Sequence, residues 1–154
     1  MLTAEEKHKI DEAIHHVPVR KAAGIEALKI VQQNRRWISD ESLQDVADYM
    51  KMSAEELDSV ATFYNLLFRR PVGRHVILVC DSISCWVMGY ETILQHLTQR
   101  LGIKLGETTV DGRYTLLPNC CLGTCDRAPA FMIDNDLYRN VTTEQLDGIL
   151  KKYE

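Results

Sequence analysis

All five cysteines of this 154-residue chain fall between Cys80 and Cys125. They form two groups. Cys80-Asp-Ser-Ile-Ser-Cys85 is a C-x4-C, and Cys120-Cys121-Leu-Gly-Thr-Cys125 contains a C-x3-C. Two short-spaced pairs on separate loops can deliver four thiolates to one point, so a fold built around them must bring both loops to one edge. The start, Met1 to Ile10, has no apolar signal core and no small-residue cleavage site. No apolar run approaches the roughly 20 residues that span a bilayer. The chain therefore reads as cytoplasmic, where clustered thiols are more often metal ligands or catalytic groups than disulfides. An odd cysteine count points the same way. A formal net charge of -4 gives no footprint for nucleic acid.

Hydrophobic periodicity divides the chain in two. Residues 1–70 read as a small helical bundle. Thr3-Ala-Glu-Glu6 is a capping box opening a helix to about His16, and Pro18 breaks the pattern. A second helix is expected over Arg20 to Asn34. A third follows Ser39 or Asp40, with Leu43, Val46, Ala47 and Met50 on one face. Ser53-Ala-Glu-Glu56 is a second capping box, and Leu57, Val60, Ala61 and Tyr64 share the next face. Arg69-Arg-Pro-Val-Gly73 reads as the hinge.

Residues 71–154 read as a small α/β domain, so the fold class is α+β. His75 to Cys80 has the apolar, β-branched character of a buried strand. Tyr90 to Leu101 follows as a helix. Arg113 to Pro118 and Ala130 to Ile133 read as strands, and Thr142 caps a last helix. Strand, helix, strand opens the domain, which allows a parallel pair with a right-handed crossover. Cys80 then ends a strand, Cys85 lies in the loop before a helix, and Cys121 and Cys125 share the loop between two strands.

Four thiolates suit zinc, a mononuclear iron site or an iron–sulfur cluster. Structural zinc often uses C-x2-C knuckles, whereas C-x4-C belongs to the plant-type ferredoxin pattern. The spacing here leans toward a cluster, with a zinc-stabilised binding module as the non-redox alternative. A Rieske-type site needs two histidines, and none lies near the second pair. A dithiol catalyst would use C-x2-C, which is absent. Ser82, Ser84 and Thr124 could donate to sulfur and Gly123 permits close backbone approach, although ordinary turns have the same composition.

A longer pattern narrows the choice. Asp111-Gly-Arg-Tyr-Thr115, then Cys121-Leu-Gly-Thr-Cys125 and Ala128-Pro129, resembles the signature of the NuoE family of respiratory complex I subunits. Val60-Ala-Thr-Phe-Tyr64 and Pro71-Val-Gly-Arg74 resemble the same family, so the likeness covers nearly the whole chain. Tyr114 stands where that family usually has phenylalanine, and retention of the ring should make it harmless. The resemblance implies a thioredoxin-like [2Fe-2S] ferredoxin with Cys80, Cys85, Cys121 and Cys125 as cluster ligands. Cys120 falls outside the motif, and register agrees, since adjacent residues of an extended chain point apart. It is expected to be a small buried residue.

The same resemblance implies one-electron exchange with FMN on an adjacent NADH-oxidising subunit, within NADH:quinone oxidoreductase. Partners would be that flavin subunit and the large iron–sulfur subunit, in the peripheral arm of a membrane-bound complex. Related subunits serve NAD-reducing hydrogenases and NAD-linked formate dehydrogenases, which are the alternative. No G-x-G-x-x-G follows a strand, so NADH binding and an independent active site are not expected here. His75, His96 and the His15-His16 pair read as structural or exposed. Met50 and Met52 read as core. Trp86 is expected to pack or to shield the cluster, and Arg69-Arg70 read as a solvated turn, with partner contact as the alternative.

Overall fold

The computed structural model describes every residue, Met1–Glu154, and the chain forms two compact units, Met1–Pro71 and Val72–Glu154. The first holds four helices. Helix α1 (Ala4–His15) begins with the complete capping box, Thr3 Oγ1 accepting the Glu6 N–H at 3.1 Å and Glu6 Oε2 accepting the Thr3 N–H at 2.8 Å. Glu6 does more than cap. Its carboxylate is fully buried and takes two bonds from the Arg35 guanidinium, at 2.9 and 2.8 Å. Burial pushes the Glu6 carboxyl up, but the Arg35 bonds and the Thr3 N–H outweigh it and hold the group at about 2.

The continuous helix expected from Arg20 is instead a 3₁₀ turn (Arg20–Ala23) leading into α2 (Gly24–Arg35), a common way for a helix to start. Helix α3 (Asp40–Met50) is capped by Ser39, and α4 (Ala54–Phe63) by Ser53. The second capping box is only half formed. Ser53 Oγ accepts the Glu56 N–H at 3.1 Å, but the Glu56 carboxylate binds Lys21 Nζ at 2.8 and 2.9 Å. Leu57 and Ala61 are buried as expected. Tyr64 is not, because the helix ends at Phe63 and an extended Tyr64 leaves its apolar face. Ile10, Leu28, Ile38, Met50 and Leu57 form the centre of this core, with Met52 packed against it.

Arg69 is not free for a partner. Its guanidinium pairs with Asp58 at 2.7 Å and Asp40 at 2.6 Å and donates to the Ile38 carbonyl, so it fastens the end of this unit to α3 and α4. Arg70 is exposed.

The second unit is built on four strands, β1 (His75–Cys80), β2 (Tyr114–Asn119), β3 (Phe131–Ile133) and β4 (Asp136–Tyr138), in the order β2-β1-β3-β4. β1 and β2 are parallel, and the other two pairings are antiparallel. Between the parallel strands lie α5 (Ile83–Val87) and α6 (Tyr90–Leu101), and α7 (Thr143–Leu150) follows the sheet. Ile77, Leu97, Leu116, Phe131, Ile133 and Leu146 make a fully buried core between sheet and helices. Two elements were not expected. α5 replaces the loop assigned to Cys85, and β4 adds an edge through the turn at Asp134 and Asn135. Asp134 adopts φ 52 there, and its carboxylate accepts from the Val76 N–H at 2.9 Å and meets His75 Nδ1 at 2.7 Å. Tyr114 is buried and its hydroxyl donates to the Leu150 carbonyl at 3.0 Å. No helix is long and apolar enough to cross a membrane.

Candidate metal centre

The register of β1 and β2 brings the two cysteine groups together. Cys80, the last residue of β1, stands opposite Asn119, the last residue of β2. Backbone bonds hold the strand ends in place, Asp81 N–H to the Asn119 carbonyl at 3.1 Å and Cys80 N–H to the Ala130 carbonyl at 3.2 Å. The loops leaving both strands therefore begin side by side at the carboxyl edge of the parallel pair. α5 carries Cys85 on its inner side. The loop after β2 carries Cys121, and Cys125 opens a 3₁₀ turn (Cys125–Arg127).

The two pairs differ in environment. Cys80 and Cys85 are buried in a small apolar cluster with Ala128 and Ala130, against which Tyr90 and Leu122 pack. Cys121 and Cys125 are exposed. Their sulfurs lie 3.7 Å apart, and Cys121 Sγ accepts the Gly123 N–H at 3.3 Å. Gly123 has φ 72, a conformation that a side chain would strain. The thiols also sense one another across the pairs. Burial pushes the Cys85 thiol up to about 11, helped by Cys80 and opposed by the Ala130 N–H. The Gly123 N–H, with Cys125 and Cys80, lowers Cys121. Cys121 raises Cys125, while the Ser84 hydroxyl opposes that rise.

These residues fit an iron–sulfur core. All four donors are thiols, drawn from two chain segments that leave one sheet edge. The 3.7 Å between Cys121 and Cys125 is close to the ~3.8 Å of two thiolates on one tetrahedral metal with bonds of ~2.3 Å. Beside them Thr124 Oγ1 is buried without a hydrogen-bond partner, an unmet polar group in the loop itself. No three His, Cys, Asp or Glu side chains of the chain are arranged around a single ion.

Two expectations for this region need correction. Cys120 is exposed, because it follows a buried Asn119 as the strand alternation turns outward. Trp86 does not pack inward. It is 55% exposed, with its indole N–H donated to Glu91 Oε1 at 3.3 Å.

The thioredoxin-like [2Fe-2S] ferredoxin family matches residues 10–154. The chain belongs to that family. The E subunit of NADH-quinone oxidoreductase from Escherichia coli (strain K12) is 47% identical over 153 residues, 99% of this chain and 92% of the relative. Its namesake in Pseudomonas aeruginosa is 45% identical over 99% of this chain and 92% of its own length. Among solved structures, a chain of an NAD+-reducing [NiFe]-hydrogenase in the air-oxidized state superposes with a TM-score of 0.70. That match covers 82% of this chain and 22% of the hydrogenase chain at 24% identity, a likeness of fold.

Proposed function

We propose that Cys80, Cys85, Cys121 and Cys125 hold one [2Fe-2S] cluster, and that the chain is a one-electron carrier of an NADH:quinone oxidoreductase. The observation that carries this reading is the 47% identity to the E subunit of an NADH-quinone oxidoreductase along 99% of the chain. The thiol geometry supports the ligand set. Cys121 and Cys125 would bind one end of the core, and Cys80 and Cys85 the buried end. When bound, the cluster supplies reversible acceptance of a single electron. The protein's part is to keep the inner end dry among Ala128, Ala130 and Leu122, and to offer the Gly123 N–H to a ligand sulfur, which favours added negative charge.

FMN and NADH belong on the neighbouring flavin subunit, and that subunit and the large iron–sulfur subunit are the partners. The chain has no active site of its own in this reading. It sits in the peripheral arm of a membrane-bound complex on the cytoplasmic side, residues 1–70 acting as a docking domain and 71–154 as the ferredoxin domain.

The test separates adjacent cysteines. Cys121→Ala should abolish the visible [2Fe-2S] absorption and the EPR signal of the reduced protein, while Cys120→Ala keeps both. The reverse outcome would refute the ligand set.

A further inference from the structure

Helix α5 buries Cys85 and exposes nearly everything else. Ile83 is 72% exposed, Trp86 55%, Val87 69% and Met88 60%. From Ser82 to Tyr90 there is no charged residue. At about 150–250 Å² for tryptophan and less for isoleucine, valine and methionine, these exposures leave roughly 400–500 Å² of apolar surface in one run. That is a large share of the ~800 Å² that one partner contributes to a standard protein interface. The composition also matches the centre of such interfaces, which are poor in charge and enriched in tryptophan and methionine. The indole of Trp86 is held by its bond to Glu91, so the largest side chain of the patch is positioned in advance, as hot-spot residues tend to be.

Position says what covers it. Val87 lies on the side of α5 away from Cys85, Trp86 is the next residue along and Met88 caps the helix, so a protein seated on these three comes within about one helix diameter, ~10–12 Å, of the buried thiol. An uncharged surface that close to the redox centre suits the protein that exchanges electrons with it. We infer that the outer face of α5 is the docking surface for the flavin-carrying redox partner, which seats an apolar, uncharged surface on Trp86, Val87 and Met88. This rests on the function proposed above and adds, in addition to the docking domain of residues 1–70, the surface through which the flavin-carrying partner is met.

The experiment uses the full chain, affinity-tagged and purified with its complex from its own cells. Bound FMN is measured by fluorescence after release, and the cluster by EPR of the same sample. Val87→Asp and Met88→Lys place charge on the patch without touching a buried residue, and Val110→Asp, at a fully exposed site, is the control. The expected result is a fall in FMN per cluster of roughly tenfold or more for the patch variants, with the cluster signal intact and the control unchanged. Full FMN content in both patch variants would overturn the assignment. So would wild-type protein that carries its cluster but no FMN, which would remove the partner and leave the cluster ligands standing. Self-association of the pure chain that Met88→Lys abolishes would give the face to a second copy, and would overturn it too. Loss of the cluster signal in wild type would instead strike the proposed function.

Discussion

Replacing Glu6 by Gln should cost about 3 kcal/mol of stability at neutral pH, and the cost should vanish in acid. Glu6 is fully buried and held by the two Arg35 bonds. The drop of its carboxyl from 4.5 to about 2 corresponds to roughly 3 kcal/mol at about 1.4 kcal/mol per pH unit. Breaking a buried pair by removing one partner typically costs about 3–5 kcal/mol. Arg35 keeps a quarter of its side-chain surface in water, so its charge can rehydrate, and the lower figure applies. Because the folded carboxyl is the stronger acid, the wild type has this contribution in full above about pH 4.5 and loses it as pH falls toward 2. Urea titrations followed by far-UV circular dichroism at several pH values measure the gap between wild type and Glu6→Gln. In thermal melts 3 kcal/mol would appear as about 12–24 °C for a domain of this size. A gap below about 1 kcal/mol at pH 7 would refute the reasoning, as would a gap that persists unchanged near pH 2.

Two further substitutions probe the second unit. At Gly73 an added Cβ would lie 3.0 Å from the Gly112 carbonyl oxygen and 3.0 Å from the Tyr114 carbonyl carbon, both backbone. Gly73→Ala should therefore destabilise by about 1–3 kcal/mol in chemical denaturation, and a neutral result would show that the strand entry is free to move. Tyr114→Phe removes the hydroxyl that donates to the Leu150 carbonyl and should cost about 0.5–1.5 kcal/mol without altering the cluster spectrum.

Much of the architecture was legible because it depends on local signals. Thr3 and Ser53 mark helix starts, and the apolar run His75 to Cys80 marks a strand that is indeed buried almost throughout. The family signature and the spacing of Cys80, Cys85, Cys121 and Cys125 needed nothing beyond the chain itself. What escaped depends on distant partners or on lengths too short for periodicity. α5 is five residues long, so it shows no repeat, and the N-cap Ser82 is a local signal of its start. β4 exists because three residues find β3 across a tight turn. Arg69 looked free at the hinge because Asp40 and Asp58 are remote in sequence. Glu6 looked like a cap alone because Arg35 is 29 residues away. Trp86 and Cys120 are exposed against the tendency of their residue types. Residue type predicts burial only on average, and single exposed large or sulfur-bearing side chains are ordinary on protein surfaces.

The central claim is that one two-iron cluster is bound by this chain. Iron and acid-labile sulfide, assayed on the anaerobically purified protein alongside EPR after dithionite reduction, test it most directly. Two irons and two sulfides per chain, with a signal from one unpaired spin, are expected of a [2Fe-2S] carrier. Stoichiometric zinc in a colourless protein without labile sulfide would contradict it.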